Sequence, residues 1–343
     1  MDAVEMARLL EDTRKSLNLD RGENPQVRKV LEHPEGQLHA IVPDRAEKSQ
    51  CIGPGGRLAA KIARQIGKDV AFHGADELAL RRVRLEASKH RLHELMTTSK
   101  FSDNNLFPWL EALIALEIAF PAQSLHDYQP DNNKGLAAVA YSGGVDSSAA
   151  LVILRDAEME CVAYTISPHP QVLAPPDIRA IVEVCEKLDA TCRIVEVPSM
   201  IEGIMEKSRQ GRIHPCGECH TALMAKVIEE AKADGHNIVV TGQSLPTGRQ
   251  ALQEQDGMLQ IHLPALLSLT KYRMKDILKH HGFSPRRETF GCNFLRKLHN
   301  MGWGMVGPSV YRILRELEAG VLNSRQAWRF IKKVAKPSMK NRR

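Results

Sequence analysis

The sequence has few aromatic residues and no long apolar run. Aromatic residues make up 5% of its 343 residues, and no stretch approaches the roughly 20 apolar residues that a membrane-spanning helix needs. Residues 1–15 alternate charged and apolar side chains, unlike a signal peptide. We therefore predict a cytoplasmic protein with no membrane partner. Its length, with 43% hydrophobic and 26% charged residues, predicts two or three globular domains.

Two common nucleotide-binding fingerprints do not occur where they would bind a nucleotide. The chain contains no G-x-x-x-x-G-K-[ST] motif, which disfavours a P-loop kinase or GTPase. The G-x-G-x-x-G pattern occurs at 302–307, where it follows no predicted strand, which counts against a dinucleotide enzyme. Seven cysteines in a cytosolic chain argue against a disulfide framework. Four of them, which lie among apolar neighbours, are predicted to be small core residues: Cys51, Cys161, Cys185 and Cys192.

Positive charge is abundant in two regions. The net charge is only +6, but residues 301–343 hold ten Lys or Arg against Glu316 and Glu318. Residues 51–100 hold ten Lys or Arg against five acids. Such clusters suit a polyphosphate partner such as RNA, although a solvated basic tail would show the same composition.

The predicted elements change character along the chain. Before residue 135, helices and short strands mix; after it, apolar strands alternate with amphipathic helices, which indicates a mainly parallel sheet covered on both faces. Polar breaks are predicted at 97–105 and 131–134. Predicted helices are 5–17, 27–33, a short one from Asp44, one after Arg57, 76–95, 107–126, 147–157, 176–189, 218–234 and 271–282; predicted strands are 37–42, 69–72, 136–141, 160–166, 192–197 and 237–241.

The sharpest motif is Ser142-Gly-Gly-Val-Asp-Ser147, between a predicted strand and a predicted helix. A helix N-terminus offers unpaired N–H groups and partial positive charge to an anion. Gly143 and Gly144 let a phosphate approach the main chain, and Ser142 and Ser147 add hydroxyl donors. Asp146 can cap the helix or hold a metal ion. The alternative is a tight turn with ordinary capping.

This motif resembles the SGGxDS signature of the PP-loop (N-type ATP pyrophosphatase) superfamily. The resemblance covers residues 136–300 and implies ATP with Mg²⁺ as cofactors, bound by Ser142, Gly143, Gly144, Asp146 and Ser147. It also implies transfer of AMP to a substrate oxygen, with Asp146 as a catalytic residue, followed by displacement of AMP by a nucleophile such as ammonia or sulfide. The segment 239–245 resembles the strand that closes the ATP site, which adds Gly242 to the cofactor-binding residues. The segment 263–282 resembles the family's strand, turn and helix.

Cys216 and Cys219 lie three residues apart at the start of a predicted helix, and Cys292 follows far along the chain. The helix N-terminus is expected to lower the pKa of the first two thiols. From the residues alone, C-x-x-C is half a zinc site, a redox pair or nothing, because the second nearby pair typical of structural zinc is missing. PP-loop tRNA 2-thiolation enzymes (the TtuA/TtcA group) have a similar cysteine pattern. That resemblance implies that the three cysteines are catalytic and hold a [4Fe–4S] cluster.

The sequence departs from that group at two places. Pro246-Thr-Gly-Arg249 stands where the group has acidic residues, so Arg249 is either a phosphate contact or a surface residue. The N-terminal zinc-finger cysteine pairs of the TtuA branch are absent. Substrate choice therefore does not follow from the family alone.

Ile52-Gly-Pro-Gly-Gly-Arg57 lies between two predicted helices and resembles the GxxG loop of a KH domain. The resemblance implies RNA binding through Gly53, Gly56 and Arg57, because a KH loop clamps about four nucleotides by their backbone. The alternative is a Gly-rich turn in a dimerisation domain.

Together these motifs predict an α/β protein: a parallel-sheet PP-loop ATPase domain with a smaller N-terminal α+β (KH-like) domain. The predicted boundaries are 1–96 (KH-like), 97–134 (linker with a helix), 135–306 (PP-loop) and 307–343 (basic helical tail). The predicted function is an ATP-dependent, AMP-forming RNA (tRNA) sulfurtransferase that adenylates a base carbonyl. Its partners would be tRNA, a sulfur donor (sulfide or a carrier protein) and a second copy in a homodimer. The alternatives are another PP-loop amidating ligase with structural cysteines, or an RNA-binding regulator with a degenerate ATPase site.

Overall fold

The computed structural model describes residues 1–19, 22–33, 36–98, 101, 106–128, 135–283 and 290–340. The chain divides into two compact units. The first comprises residues 1–89 and 109–128, and the second comprises residues 90–108 and 129–343. Within the described ranges, no helix combines the length and apolar character required to cross a membrane. The predicted polar breaks at 97–105 and 131–134 lie largely outside the described residues.

The first unit is a three-stranded sheet with helices. Its sheet has the order β1-β2-β3, with β1 and β2 antiparallel and β2 and β3 parallel. Met6, Leu10, Leu58 and Ile62 form its core with apolar strand residues. The elements are α1 (Ala3–Ser16), β1 (Lys29–Glu32), β2 (Leu38–Val42), α2 (Arg45–Ile52), α3 (Arg57–Ile66), β3 (Val70–Gly74), α4 (Ala75–Thr98, which continues into the second unit) and α5 (Leu106–Ala119, which begins in the second unit).

The prediction of a helix at 27–33 is wrong. Lys29–Glu32 forms strand β1, and the Arg28 N–H donates to the Ile41 carbonyl at 2.8 Å as the pairing with β2 begins. A short segment has too few residues to nucleate a helix on its own, so its pairing partner decides its conformation.

The second unit is a six-stranded sheet with helices. The sheet order is β6-β5-β4-β7-β9-β8, parallel except for the antiparallel pair β8 and β9. This confirms the predicted fold class. The elements are β4 (Leu136–Ala140), α6 (Val145–Asp156), β5 (Glu160–Ser167), α7 (Pro175–Lys187), β6 (Thr191–Glu196), α8 (Glu202–Arg209), α9 (Cys216–Ala233), β7 (Ile238–Thr241), β8 (Leu252–Gln255), β9 (Met258–His262), α10 (Leu263–Leu266), α11 (Lys271–His280), α12 (Asn293–Leu298), α13 (Trp303–Glu318) and α14 (Ser324–Lys340).

Strand order fixes where a ligand can bind in this unit. From β4 the chain moves to one side through β5 and β6, then returns to place β7 on the other side of β4. The ends of β4 and β7 therefore form a topological switch point, the usual place for a ligand in a parallel sheet. Because β4, β5, β6, β7 and β9 run in one direction, the loops that follow them share one edge of the sheet.

The region after β7 differs from the prediction. The strand expected from Leu263 is wrong: Leu263 begins helix α10, and the strand is β9, which ends at His262. A hairpin joins β8 and β9 through Asp256 and Gly257, both with positive φ (49° and 80°). Asp-Gly is the dipeptide that such a tight turn favours.

Residues 303–340 of the basic C-terminal segment form a helical hairpin. Helices α13 and α14 pack together around a core of Val306, Ile313, Leu322 and Phe330.

Four cysteines were predicted to be core residues. Cys51 in the first unit and Cys161 and Cys185 in the second are buried, which confirms the prediction for these three. Cys192 is only half-buried.

Candidate active site

The phosphate loop joins β4 to the N-terminus of α6. Gly144 is the N-cap of α6, so the first free N–H groups of the helix follow it directly. Gly143 has a φ of +68°, and a Cβ there would lie 2.6 Å from the Ile181 side chain. The Ser147 hydroxyl lies 3.1 Å from that of Ser142 and accepts the Ser142 N–H at 3.2 Å. These contacts hold a compact turn between the end of β4 and the start of α6.

Gly242 follows β7 and lies directly against this turn. A Cβ at Gly242 would be 2.4 Å from the Ser147 nitrogen and 2.6 Å from its Cα. Only glycine fits this close approach, because real Cβ atoms do not come so near to backbone atoms. The structure thus brings the predicted residues Ser142, Gly143, Ser147 and Gly242 together at the switch point.

Sequence reasoning missed Lys271. Its ammonium donates to the Asp146 carboxylate at the first turn of α6, and its side chain is only 12% exposed. Lys271 opens helix α11, where the positive end of the helix dipole disfavours a cation. A lysine in that place, after the N-cap Thr270, is the sequence signal for a specific anionic partner.

Arg249 does not contact the phosphate loop. Its guanidinium donates to both carboxylate oxygens of Glu94, at 2.5 and 2.9 Å. This pairing holds the pKa of Glu94 at about 2. Of the two roles considered for Arg249, the structure supports the surface residue.

The three candidate cysteines lie near one another, since the charges of Cys219 and Cys292 act on Cys216. Cys216 begins α9, and Cys292 is the N-cap of α12, where its sulfur accepts the Leu295 N–H at 3.5 Å. Cys219 and Cys292 pack against one apolar cluster of five residues: Ile201, Met205, Phe294, Leu298 and Met305. The pocket lies at the carboxyl edge of the sheet, since Ile201 follows β6 and the Gln171 carbonyl, in the loop after β5, accepts the Phe294 N–H. We define the cysteine pocket as these three cysteines and that cluster.

The prediction that the helix N-terminus lowers the pKa of these thiols is wrong. Burial, which disfavours the thiolate, raises the pKa of Cys216 to about 11. Burial and the negative charge of a Cys292 thiolate raise the pKa of Cys219 to about 11. Among the described residues, no three His, Cys, Asp or Glu side chains are arranged to hold a metal ion. The thiols as placed therefore do not fit a ready-made cluster site.

Two histidines contact one serine on α13. His214 Nε2 and His299 Nε2 lie 3.2 and 2.9 Å from the Ser309 hydroxyl on α13. Burial, followed by the charge of His214, lowers the pKa of His299 to about 4, so its imidazole is neutral at physiological pH. The hydroxyl and the two rings hold α13 against the segment that precedes α9.

We expect slow thiol alkylation in the metal-free native protein. A pKa of about 11 instead of 9 leaves about 100-fold less thiolate at neutral pH. The rate of iodoacetamide labelling at Cys216 and Cys219, followed by peptide mass spectrometry, should rise about tenfold per pH unit up to about pH 10. Cys192, whose pKa is lowered by a hydrogen bond from Cys185, is the internal control and should level off earlier. A plateau below pH 8.5 at Cys216 would contradict the desolvation of this pocket.

The family comparison covers the sheet that carries these sites. The family described as tRNA methyl transferase HUP domain matches residues 136–265. The match runs from β4 to α10 and contains the phosphate loop, Cys216, Cys219 and Gly242. This part of the chain is a PP-loop domain. The predicted superfamily is thereby confirmed.

Other relatives extend the likeness without adding an activity. An uncharacterized protein of Methanocaldococcus jannaschii is 29% identical over 206 residues, which cover 59% of this chain and 76% of that protein. Two solved structures are more distant. The U34-tRNA thiolase NcsA from Methanococcus maripaludis, with its [4Fe–4S] cluster, has a TM-score of 0.38 and 13% identity over 60% of this chain and 72% of that chain. NMN synthetase from Francisella tularensis has a TM-score of 0.36 and 15% identity over 69% of this chain and 95% of that chain. At these scores neither structure bears on the function.

The predicted RNA-binding loop of the first unit lies between α2 and α3, as expected. Gly53 has a φ of +70°, and a Cβ there would meet the Leu58 side chain at 2.7 Å. A Cβ at Gly56 would meet nothing within 4 Å, and Arg57 begins α3. The loop thus presents open backbone beside a cation, while its role in RNA binding stays a prediction.

Proposed function

We propose that this protein is an ATP-dependent enzyme that modifies RNA, with tRNA as the substrate, by replacing a base oxygen with sulfur. One observation carries the proposal: the PP-loop and the cysteine pocket are built from loops at the same edge of one sheet. ATP activation and sulfur delivery require two such neighbouring sites. The description of the matching HUP family, which names tRNA, and the basic C-terminal helices support an RNA substrate.

ATP would bind with its phosphates at the N-terminus of α6. The Ser147 N–H and the hydroxyls of Ser142 and Ser147 would donate to phosphate oxygens, and Gly242 leaves room for the approach. Lys271 would leave Asp146 to bind a phosphate oxygen, and the freed Asp146 carboxylate would face the Mg²⁺ that accompanies ATP. The substrate carbonyl oxygen would then attack the α-phosphorus, which releases pyrophosphate and leaves an adenylated base.

Sulfur would reach the activated carbon from the cysteine pocket. A persulfide on Cys216 or Cys219, formed when the thiol takes sulfane sulfur from a persulfide donor whose own thiol then leaves, would attack that carbon as AMP leaves. A second cysteine thiol would then attack the protein-bound sulfur, so that the base keeps the outer sulfur and the two cysteines form a disulfide. An external thiol would reduce that disulfide. A [4Fe–4S] cluster on Cys216, Cys219 and Cys292 stays an alternative proposal for the carrier, and no step above requires it.

The high thiol pKa values favour a second candidate. Protonated, desolvated thiols are poor nucleophiles, as expected of structural cysteines. In that case the same PP-loop would activate a substrate for ammonia or an amine.

The deciding experiment uses the full chain with tRNA, ATP, Mg²⁺ and either a low-molecular-weight persulfide with a thiol or ammonium. Mass spectrometry of digested tRNA would identify a thionucleoside or an aminated nucleoside, and the release of AMP and pyrophosphate would be followed in parallel. A thionucleoside formed only with ATP supports the proposal. An aminated nucleoside supports the second candidate. If neither product forms and ATP is consumed without tRNA, both candidates are contradicted.

A Lys271→Ala variant is expected to weaken ATP binding about 10- to 100-fold. It removes the cation that contacts Asp146 of the PP-loop, and a charge-assisted contact to a phosphate is worth roughly 1.5–3 kcal/mol. Isothermal titration with ATP·Mg²⁺ measures the loss. Lys275→Ala, one turn later on α11, is the matched control; an equal loss there would show that the effect is not specific to the loop.

A further inference from the structure

The exposed aromatic side chains of this protein are concentrated on its last two helices. The sequence holds three tryptophans, of which Trp109 is buried (3% exposed) and the other two are exposed: Trp303 on α13 (59%) and Trp328 on α14 (57%). Tyr311, also on α13, is 66% exposed. In a chain with only 5% aromatic residues, three large rings in solvent on adjacent helices indicate a contact surface.

The rings of α13 lie on one side of the helix. Trp303, Gly307, Tyr311 and Leu314 are spaced by four, four and three residues, the spacing of a single helix face. Trp303 leans over Gly307, since a Cβ at Gly307 would lie 3.5 Å from its indole nitrogen. Trp303 and Tyr311 therefore belong to one exposed face of α13.

The helices that carry these rings are also rich in positive charge. The side chains of Arg312 and Arg315 on α13 are exposed, as are Arg325, Lys332 and Lys336 on α14. The Lys332 ammonium lies 4.9 Å from the centre of the Trp328 ring. Residues 319–343 contain no acid, and residues 290–318 contain only Glu316 and Glu318. A surface with rings for stacking and cations for phosphates matches the chemistry of unpaired nucleic acid, whose bases expose their flat faces.

The opposite side of α13 is part of the cysteine pocket. Met305 belongs to the apolar cluster that contacts Cys219 and Cys292, and Ser309 holds His214 and His299. The charge of Arg312 also acts on Cys216. A nucleic-acid strand bound on the exposed face of α13 is therefore separated from the cysteines by about one helix diameter, roughly 10 Å.

We propose that Trp303 and Tyr311 of α13 and Trp328 of α14, with the surrounding Arg and Lys residues, bind unpaired RNA by base stacking and guide it to the cysteine pocket. We refer to these three rings and their cations as the stacking face. The delivery of RNA to the cysteine pocket rests on the proposed function. The binding of RNA to the stacking face requires neither ATP nor sulfur. Charge favours RNA over a second copy of the chain, because two such basic faces repel each other.

The test measures binding of a fluorescein-labelled 12-nucleotide oligouridylate to the full chain, by anisotropy, without ATP or sulfur donor. Trp303→Ala, Tyr311→Ala and Trp328→Ala should each weaken binding about fivefold or more, because stacking on an aromatic ring is lost. Trp303→Phe and Trp328→Phe should restore most of the affinity. A 12-base-pair RNA duplex should bind more weakly and should not respond to these substitutions, because its bases are already stacked.

Tyr272→Ala is the matched control, since Tyr272 is equally exposed (63%) but lies on α11. Intrinsic fluorescence adds a direct readout, because stacked bases should quench Trp303 and Trp328 while buried Trp109 stays unchanged. Sedimentation of each variant measures its oligomeric state and so detects the competing outcome, in which the stacking face joins two copies of the chain. A dimer that becomes a monomer on Trp303→Ala, with unchanged RNA affinity, would overturn the proposal in favour of self-association. An unmodified protein that binds oligouridylate through these rings but thionates no tRNA would count against the proposed function and leave the stacking face intact.

Discussion

A Gly242→Ala variant is expected to lose ATP binding at least about 100-fold. The new Cβ would lie 2.4 Å from the Ser147 nitrogen and 2.6 Å from its Cα, so β7 and the N-terminus of α6 must separate. That nitrogen carries one of the N–H groups proposed to bind phosphate, and a displacement of about 1 Å in such a site can cost 100-fold. Isothermal titration with ATP·Mg²⁺ and with pyrophosphate measures the effect. Both ligands should be affected, because both need the phosphate loop.

The matched control is Gly203→Ala at the start of α8, where an added Cβ would meet nothing within 4 Å. Alanine suits a helix better than glycine by about 1 kcal/mol, so this variant should fold and bind ATP as the unmodified protein does. Thermal melting separates a local from a global effect. Wild-type affinity for ATP in a folded Gly242→Ala protein would contradict the assignment of the phosphate site to the ends of β4 and β7.

The phosphate site could be predicted from sequence because its parts are local. Residues 142–147 form one continuous turn, and the strand before it and the helix after it follow from hydrophobic patterning. Gly242 lies about a hundred residues later and was predicted only through the family resemblance. Its close approach to Ser147 depends on the strand order, in which β7 lies next to β4, and strand order is not encoded in any local pattern.

The cysteine pocket shows the limits of local reasoning more sharply. Cys216 does lie at a helix N-terminus, which by itself would favour the thiolate, but the apolar residues that bury the pocket come from distant segments. Desolvation outweighs the helix dipole there, and the sign of the pKa shift reverses. Lys271 was missed for a related reason, since its partner Asp146 is 125 residues away.

A Cys219→Ala variant is expected to separate the two half-reactions. Under the proposed mechanism Cys219 takes part in sulfur transfer and does not contact ATP, so tRNA thionation should fall at least about 100-fold. Pyrophosphate exchange into ATP, which reports on adenylation, should stay within about twofold of the unmodified protein. Cys216→Ala should behave in the same way. The two assays, run on one preparation, distinguish loss of the sulfur carrier from loss of the fold.

Cys192→Ala is the matched control, because Cys192 is also half-buried but follows the start of β6, away from the cysteine pocket. It should keep both activities. Iron and acid-labile sulfide after anaerobic purification then identify the carrier. About four of each per chain, lost in Cys292→Ala, would favour a cluster, whereas thionation by an iron-free protein would favour the persulfide. Thionation that persists in Cys216→Ala and Cys219→Ala would show that the cysteines are structural, and would leave this PP-loop domain to use a nucleophile that the protein does not carry.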